Sequence, residues 1–220
     1  MARRMGAYAV SLARHVVAGL LAVAVCAAGP AACAEPVSPV VRVEEDWELV
    51  VTTPGTDNNG PQVTCVLSPC ESTDATYSVF VLNHQSQPAY VAGGLQLQVW
   101  QGDVSVASHK FPKDDVMATP GETVRWTQAM QLNGNVLSFE ISGGTSYTWG
   151  AFGGQGYLYA SVTSDVSDLS GYSPAVSVAN SGAGFAANRV ESLVLKRVRY
   201  ITAAGDVIED NTERPVYTHD

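Results

Sequence analysis

Several stretches of the chain alternate apolar and polar residues, which is the period-2 pattern of β-strands with one buried face. The pattern is clear in Val40–Thr53, where the apolar side chains share one side of the predicted strand. Glu45 interrupts that apolar side, and we expect a bulge or an edge position there. The other side of the strand carries four charged residues: Arg42, Glu44, Asp46 and Glu48.

Further strands follow at short intervals and are separated by turn-forming Gly, Asn, Asp and Pro residues. They are Val63–Leu67, Ala75–His84, Leu95–Trp100, Val104–His109, Thr123–Gln131, Asn135–Ser142, Tyr157–Val162 and Val190–Ile201. Asp165–Asn188 is predicted as a long loop with a brief strand at Ala175–Val178. The polar tail, Ile208–Asp220, is predicted to fray. No stretch sustains a helical period, so the pattern predicts an all-β fold with very little helix.

A tight hairpin centred on Gly143-Gly144 is predicted to fold Thr145–Phe152 back onto the strand before it. An even loop would gather Ser138, Glu140, Tyr147 and Trp149 on one face of this hairpin, and an odd loop would move Trp149 toward the core. Tyr157 and Tyr159 would extend the aromatic face. Aromatic rings stack on the C–H surfaces of sugars, and a carboxylate accepts hydrogen bonds from hydroxyl groups. The candidate ligand-binding residues are therefore Glu140, Tyr147, Trp149, Tyr157 and Tyr159, with burial of the aromatics as the alternative.

The amino terminus is predicted to be a secretory signal peptide, Met1–Ala34. It combines three arginines, an apolar run over Val16–Ala28 and an A-x-A-like cleavage site that ends at Ala34. The mature chain, residues 35–220, is expected to be a single domain located in the periplasm, at the cell surface or outside the cell. Nothing downstream has the length and hydrophobicity of a transmembrane segment.

Charge narrows the class of partner. The whole chain has a formal net charge of −9, and without its signal peptide it has 9 basic and 21 acidic side chains, a charge of −12. Nucleic-acid binding requires clustered Lys and Arg, so nucleic acid is not expected as a partner. With 46% hydrophobic and 15% charged residues, the composition fits a compact domain with a substantial core.

The four cysteines divide between the signal peptide and the mature chain. Cys26 and Cys33 lie in the signal, and acylation of one of them, as in a lipoprotein, is the alternative to simple cleavage. Cys65 and Cys70 lie close together in CVLSPC, and in a secreted protein this spacing predicts a disulfide across the turn.

Three segments carry a resemblance to a known fold. NRVESLVLKRVRYI (188–201) resembles the final strand of concanavalin A-like, laminin G-like β-sandwiches, where that strand lies beside the amino-terminal one, here VRVEEDWELVV (41–51). GNVLSFEISGGTSYTWGAFG (134–153) is similar to hairpins of that fold. The whole chain also resembles uncharacterised bacterial secreted proteins. The resemblance implies a two-sheet antiparallel sandwich of the jelly-roll type, in a fold that includes lectins and glycoside hydrolases.

Few residues of the sequence match a catalytic or metal-binding pattern. Glu44, Asp46 and Glu48 have the E-x-D-x-E spacing of the fold's retaining glucanases, but pairing of this acidic row with Arg197 and Arg199 is the simpler interpretation. No catalytic residue and no metal ligand is assigned. Calcium binding remains an alternative, because two turns contain side chains with the hard oxygen ligands that Ca²⁺ prefers. These turns are Asp57-Asn58-Asn59 and the cluster Asp206, Glu209 and Asp210.

The sequence therefore favours a secreted, non-catalytic binding or structural module with a polysaccharide or glycan as its expected ligand. A polysaccharide-active glycoside hydrolase is one alternative, and an extracellular structural protein without a small ligand is another. A hydrolase requires two carboxyl groups converging on a cleft, whereas a binding module requires only an accessible face. The oligomeric state is not determined by these patterns.

Overall fold

A computed structural model describes residues 38–52, 60–87 and 93–219. The predicted signal peptide and the Asp57-Asn58-Asn59 turn lie outside these residues. Thirteen strands, one α-helix and one 3-10 helix occur within them. They are β1 (Val40–Val51), β2 (Gln62–Leu67), β3 (Thr76–Asn83), β4 (Gly94–Gln101), β5 (Val104–Pro112), β6 (Glu122–Asn133), β7 (Val136–Ser146), β8 (Gly150–Phe152), β9 (Tyr159–Thr163), α1 (Pro174–Asn180), β10 (Gly182–Gly184), the 3-10 helix (Ala187–Arg189), β11 (Val190–Thr202), β12 (Val207–Asp210) and β13 (Arg214–Thr218).

Two antiparallel sheets pack face to face as a sandwich, which confirms the predicted all-β fold. The larger sheet has eight strands in the order β12-β11-β1-β6-β7-β8, with β13 also paired to β11 and β9 to β7. The smaller sheet has five strands in the order β10-β2-β3-β4-β5. As predicted, the first and last long strands pair: β1 lies antiparallel to β11. No helix among the described residues is long and apolar enough to cross a lipid bilayer.

The core lies between the sheets and is built from the inward-facing positions of their strands. Trp47 on β1 lies opposite Trp126 on β6, and the two rings stack with centroids 6.3 Å apart. Phe80 from the smaller sheet meets Trp126 edge to face at 5.6 Å. Burying aromatic side chains of this size provides much of the hydrophobic free energy that holds the layers together.

The predicted turn at Gly143-Gly144 is wrong, because β7 runs straight through it. Gly143 and Gly144 form a bulge opposite Trp126, between the pairs Thr127–Ser142 and Arg125–Thr145. Gly143 has a φ of +60°, which glycine adopts without strain. A side chain at Gly144 would collide with the ring of Phe152. The chain instead reverses over residues 147–149, after which β8 pairs with the end of β7.

Two other local predictions are also corrected, and one of the two alternatives for Glu45, an edge position, is excluded. Ala175–Val178 belongs to helix α1, which begins with Pro174 in its first turn, the helical position that tolerates proline. The tail forms β12 and β13, and both pair with β11. Glu45 does not lie at an edge, since β1 is flanked by β11 and β6. The nearby register shift is between Asp46 and Trp47, where β11 carries an extra residue.

Candidate functional site

A polar groove lies on the outer face of the larger sheet, where β1, β6, β7 and β9 come together. Strand pairing places Glu44 beside Ala129, Ala129 beside Glu140, and Glu140 beside Tyr159. The groove has a volume of about 340 Å³, at the lower end of the range for small-ligand sites. Its main polar lining residues are Arg42, Gln131, Ser138, Glu140, Gln155 and Tyr159.

Ala129 lines this groove from the outward side of β6. Its neighbours in the row, Glu44 and Glu140, are longer, so the short Ala129 side chain leaves a depression between them. Because side chains on one strand alternate between the two faces, Ala129 is separate from the core positions Gln128 and Met130 on either side of it. The depression therefore depends on the outer surface and not on core packing.

One wall of the groove is held in place by hydrogen bonds. Arg42 donates from Nε to Glu44 Oε1 at 2.7 Å and from Nη1 to Gln131 Oε1 at 2.9 Å. Ser138 Oγ donates to the carbonyl oxygen of Gln131 at 3.2 Å. The carboxylate of Glu140 and the hydroxyl of Tyr159, by contrast, form no hydrogen bond or ion pair with another described residue. The groove thus has hydrogen-bonded side chains on one wall, and the Glu140 carboxylate and the Tyr159 hydroxyl are available to a ligand on the other.

The structure brings together only Glu140 and Tyr159 of the five predicted site residues. Trp149 is 3% exposed and stacks on Phe152 with ring centroids 5.0 Å apart, so it belongs to the core. Tyr157 packs on Phe111 at 4.5 Å, and its hydroxyl oxygen accepts the N–H of Gly153. The predicted face combining Glu140, Tyr147 and Trp149 is therefore not formed.

Tyr147 lies at the tip of the chain reversal and is 95% exposed. Glu122 closes this reversal from below: it accepts hydrogen bonds from the Thr148 N–H at 2.9 Å, the Thr148 hydroxyl and the Ser146 hydroxyl. Ser146 Oγ in turn accepts the N–H of Trp149 at 3.2 Å. This network directs Trp149 inward and leaves Tyr147 on the surface, which is the physical reason the two aromatics separate.

The acidic row Glu44, Asp46 and Glu48 is engaged by cations on the neighbouring strands. Arg199 Nη2 lies 2.7 Å from Glu44 Oε2, and Arg197 Nη2 lies 2.7 Å from Asp46 Oδ2. Glu48 pairs with Arg125 on β6 at 2.7 Å and with Lys196 on β11 at 3.9 Å. The ion-pair interpretation of this row is confirmed, and the E-x-D-x-E spacing is accounted for without catalysis.

A second polar feature lies inside the sandwich, around Glu45. This side chain is fully buried; its Oε2 accepts the Trp47 indole N–H at 2.9 Å, and its Oε1 accepts the Tyr172 hydroxyl at 2.6 Å. Burial raises the pKa of Glu45 to about 7, and the Ser177 and Tyr172 hydroxyls and the Trp47 indole oppose that shift. Among the described residues, no Lys, Arg or His side chain lies at hydrogen-bond distance from this carboxyl group, which is held in the core by neutral donors.

Gln128 lies directly opposite Glu45 on β6 and is also fully buried. Its Nε2 donates to the Cys65 carbonyl at 3.4 Å and to Ser78 Oγ at 3.5 Å, while its Oε1 has no partner among the described residues. Together with Glu45 and Tyr172, these residues form the inner polar cluster. No described groove opens onto it, so it does not serve as the candidate binding site.

Cys65 and Cys70 are free thiols, so the predicted disulfide is not present. Cys65 lies on the inward side of β2 within the core, and burial raises the pKa of its thiol. Cys70 lies in the following loop, where its Sγ is 3.7 Å from Ser68 Oγ and 3.5 Å from the Ser72 carbonyl. Cys65 thus lies in the core and Cys70 in a surface loop. Their short separation in sequence did not predict this difference.

The carboxylates proposed for calcium on the carboxy-terminal side have separate partners. Asp210 accepts from Arg214 and from the Thr212 N–H, and Glu209 pairs with Arg197 at 3.3 Å. Asp206 is hydrogen-bonded to Thr202 at 3.4 Å. Within the described parts of the chain, no three His, Cys, Asp or Glu side chains converge as metal ligands.

Sequence reasoning missed Arg42, Gln131 and Gln155 as groove residues, and it placed Ser138 on the same face as Glu140 without assigning it a role. Arg42 and Gln131 were placed on predicted strands, but their contact depends on the pairing of β1 with β6, two strands far apart in the chain. Glu45 could be recognised in the sequence as unusual, because it interrupts an apolar row. Its partner Tyr172 lies in Asp165–Asn188, which is predicted as a loop, so the sequence does not predict their contact.

Comparisons with known proteins do not assign this chain to a family. No family model and no curated protein matches the chain. Among solved structures, the chain is similar to the crystal structure of Scytalido-glutamic peptidase with a peptide-based transition state analog, with 12% sequence identity and a TM-score of 0.34. The alignment covers 80% of this chain and 82% of that one. So distant a likeness says nothing about the activity of this chain.

Proposed function

We propose that this chain is an exported, non-catalytic module that binds carbohydrate in the polar groove. The observation that carries the proposal is the pair Glu140 and Tyr159, which share one row of the larger sheet and whose side chains form no hydrogen bond within the described part of the chain. A sugar offers many hydroxyl groups that both donate and accept. The carboxylate accepts from such hydroxyls, and the tyrosine adds a ring face and a hydroxyl.

The rest of the groove suits the same ligand. Gln131, Gln155 and Ser138 contribute amide and hydroxyl groups, and the Arg42 guanidinium adds N–H donors. Arg42 is already paired with Glu44, so the cation is compensated within the wall. A groove of this composition favours a ligand with many neutral hydrogen-bonding groups over an apolar molecule.

A binding role is favoured over glycoside hydrolysis by the carboxylates of the groove. Hydrolysis commonly uses two carboxyl groups that flank the scissile bond. Glu140 has no ion-pair partner among the residues that the structure describes, whereas both Arg42 and Arg199 form ion pairs with the neighbouring Glu44. Both carboxylate oxygens of Glu44 are therefore bound by guanidinium groups, so Glu44 is not free to act on a bound sugar beside Glu140.

Export is part of the proposal. The basic residues, apolar run and cleavage site of Met1–Ala34 support it, and location in the periplasm, at the surface or outside the cell would give the groove access to glycans. Analysis of the amino terminus of protein collected outside the cytoplasm would test this part. A chain that keeps its first 34 residues and stays in the cytoplasm would contradict it.

The binding test is affinity electrophoresis of the purified protein through a panel of soluble polysaccharides, followed by calorimetry on those that retard it. Glu140→Gln is expected to weaken binding about tenfold, since a charge-assisted hydrogen bond is lost. Glu71→Gln, a change of the same type at an exposed loop residue far along the chain, is the matched control and should leave binding unchanged.

Either of two results would overturn the proposal. One is the absence of retardation by any polysaccharide in the panel, which would favour a structural role without a small ligand. The other is the release of reducing ends by the wild-type protein and not by Glu140→Gln, which would make the protein a glycoside hydrolase.

A further inference from the structure

The polar groove continues along the outer face of the larger sheet. The pairings of β1, β6 and β7 place outward side chains in successive rows. In order along β6, these rows are Arg42–Gln131–Ser138, Glu44–Ala129–Glu140, Asp46–Thr127–Ser142 and Glu48–Arg125–Thr145. Consecutive rows are two residues apart on β1 and β6. On β7 the bulge at Gly143-Gly144 makes the last step three residues, from Ser142 to Thr145, and Thr145 still faces outward, so the rows form one continuous surface.

The far end of this surface is a second cleft, next to Tyr147. It has a volume of about 640 Å³ and is lined by residues that include Thr123, Arg125, Thr145 and Tyr147. Tyrosine is of intermediate burial on average, yet Tyr147 is 95% exposed. Its position is set by the Glu122 network beneath it, so the exposed ring is held on an ordered turn.

The charges between the two ends are compensated within the face. Arg125 pairs with Glu48, and Arg197 pairs with Asp46, each at 2.7 Å. Thr127 donates its hydroxyl to Asp46 at 2.7 Å. The stretch between groove and cleft therefore has hydroxyls and neutralised ions. A polyanion would find no free cation among the described residues of this stretch, and it would be repelled by the net charge of the chain, which is −12 without the predicted signal peptide.

From Gln131 to Thr123 the surface extends about 27 Å, given the rise of about 3.4 Å per residue in an antiparallel strand. We propose that the ligand is a neutral linear polysaccharide that lies along β6 and β7, from the polar groove to the cleft, with Tyr147 as a stacking subsite for its far end. This inference rests on the proposed function and adds the polymer's length, its charge class and a second contact.

The test uses calorimetry with cello-, xylo- and laminari-oligosaccharides of two to six rings, with the whole purified protein. In the series that binds, affinity should rise at least tenfold from two to six rings. Tyr147→Ala should abolish most of that gain and leave two-ring binding unchanged. Tyr147→Phe keeps the ring face and should retain the gain, whereas Glu140→Gln should weaken short and long ligands alike.

Equal affinity for two and six rings would overturn the inference while leaving the proposed function intact, as would a Tyr147→Ala protein that binds six rings like the wild type. Tighter binding of polygalacturonate than of the neutral series would overturn the assignment of charge. If no saccharide binds and an extended peptide does, both the proposed function and this inference fail.

Discussion

Strand β1 carries carboxylates on both of its faces, and the two faces treat them in opposite ways. Asp46 on the outer face lies between β11 and β6, where Arg197 and Thr127 bind it at 2.7–2.8 Å. Glu45, one residue earlier, faces the core, and its bonded partners are the neutral donors of Trp47 and Tyr172. Adjacent acids thus have unlike surroundings solely because successive side chains of a strand point to opposite faces.

The comparison separates two uses of a carboxylate in a β-sandwich. On the outer face, charges are shared with solvent and with several cations, so each pair contributes little to stability. In the core, one carboxyl group meets a large desolvation penalty, which raises its pKa to about 7. The outer row thus organises a surface, while the inner residue couples the stability of the fold to pH.

The largest expected effect comes from removing the inner carboxyl group. Glu45→Ala would leave the Trp47 indole N–H and the Tyr172 hydroxyl buried without partners and would open a cavity. We expect the free energy of unfolding at pH 5 to fall by about 4 kcal/mol, measured by urea denaturation. Glu44→Ala on the outer face is the matched control and should cost about 1 kcal/mol or less. Equal losses would contradict the comparison.

A slightly smaller effect is expected from pH. The unfolded chain releases the Glu45 proton near pH 4.5 and the folded chain at about 7, so the folded state binds more protons between these values. The free energy of unfolding should therefore decrease by about 3 kcal/mol as pH rises from about 4 to 8. Denaturation of the wild type and of Glu45→Gln across this range measures the difference.

Comparing the two proteins isolates Glu45 from other titrating groups. Burial lowers the pKa of His84, which gives a slope of the opposite sign in the same range, and that slope is common to both proteins. Parallel stability curves for the wild type and Glu45→Gln would show that Glu45 does not titrate in this window.

A smaller effect is expected from Tyr172→Phe, which removes one hydrogen bond to the Glu45 carboxyl and keeps the ring. The free energy of unfolding should fall by about 1–2 kcal/mol at pH 7. The pKa of Glu45 should rise further, because a donor that favours the ionised form is lost. Tyr200→Phe is the control, since Tyr200 contacts the Tyr172 ring edge to face but does not bond to Glu45. The two variants should differ in urea denaturation; equal losses would contradict this role.

The smallest effect belongs to the outer row. Asp46→Asn removes the charge that Arg197 binds through two nitrogen atoms, and both side chains are partly exposed. We expect a loss of about 0.5–1 kcal/mol at low salt, which should shrink in 1 M NaCl as ions screen the pair. A double-mutant cycle with Arg197→Gln measures the coupling. A coupling energy above about 2 kcal/mol, or one that salt does not change, would show that the Asp46–Arg197 pair contributes to stability as a buried interaction does, and it would contradict this prediction.

Much of the fold could be predicted from the sequence because strand periodicity is local. The alternation in β1, β4 and β7 identified their inward residues, and the resemblance of the first and last long strands to those of concanavalin A-like sandwiches implied that the two would pair. The ion pairs between the acidic row and Arg197 and Arg199 followed from that pairing.

The candidate site was predictable only in part. Glu140 and Tyr159 lie on strands that were identified, but their groove also needs Arg42 from β1, and the pairing of β1 with β6 leaves no local signal. Gly143-Gly144 suits either a tight turn or a bulge, since both require a positive φ, and Phe152 packing against Gly144 accompanies the bulge. Because Gly143-Gly144 forms a bulge and not a turn, Trp149 lies in the core and not on the predicted outer face.

By itself, then, the sequence determined which residues alternate, which strands have a buried face and that Glu45 is out of place in an apolar row. The tertiary structure decided what these residues meet: that Tyr172 reaches Glu45, that Cys65 and Cys70 stay apart, and that Ala129 forms a depression beside Glu140. The physical reason is range. Periodicity reflects steric preferences within a few residues, whereas burial, ion pairing and groove shape depend on segments that are brought together only when the sheets pack.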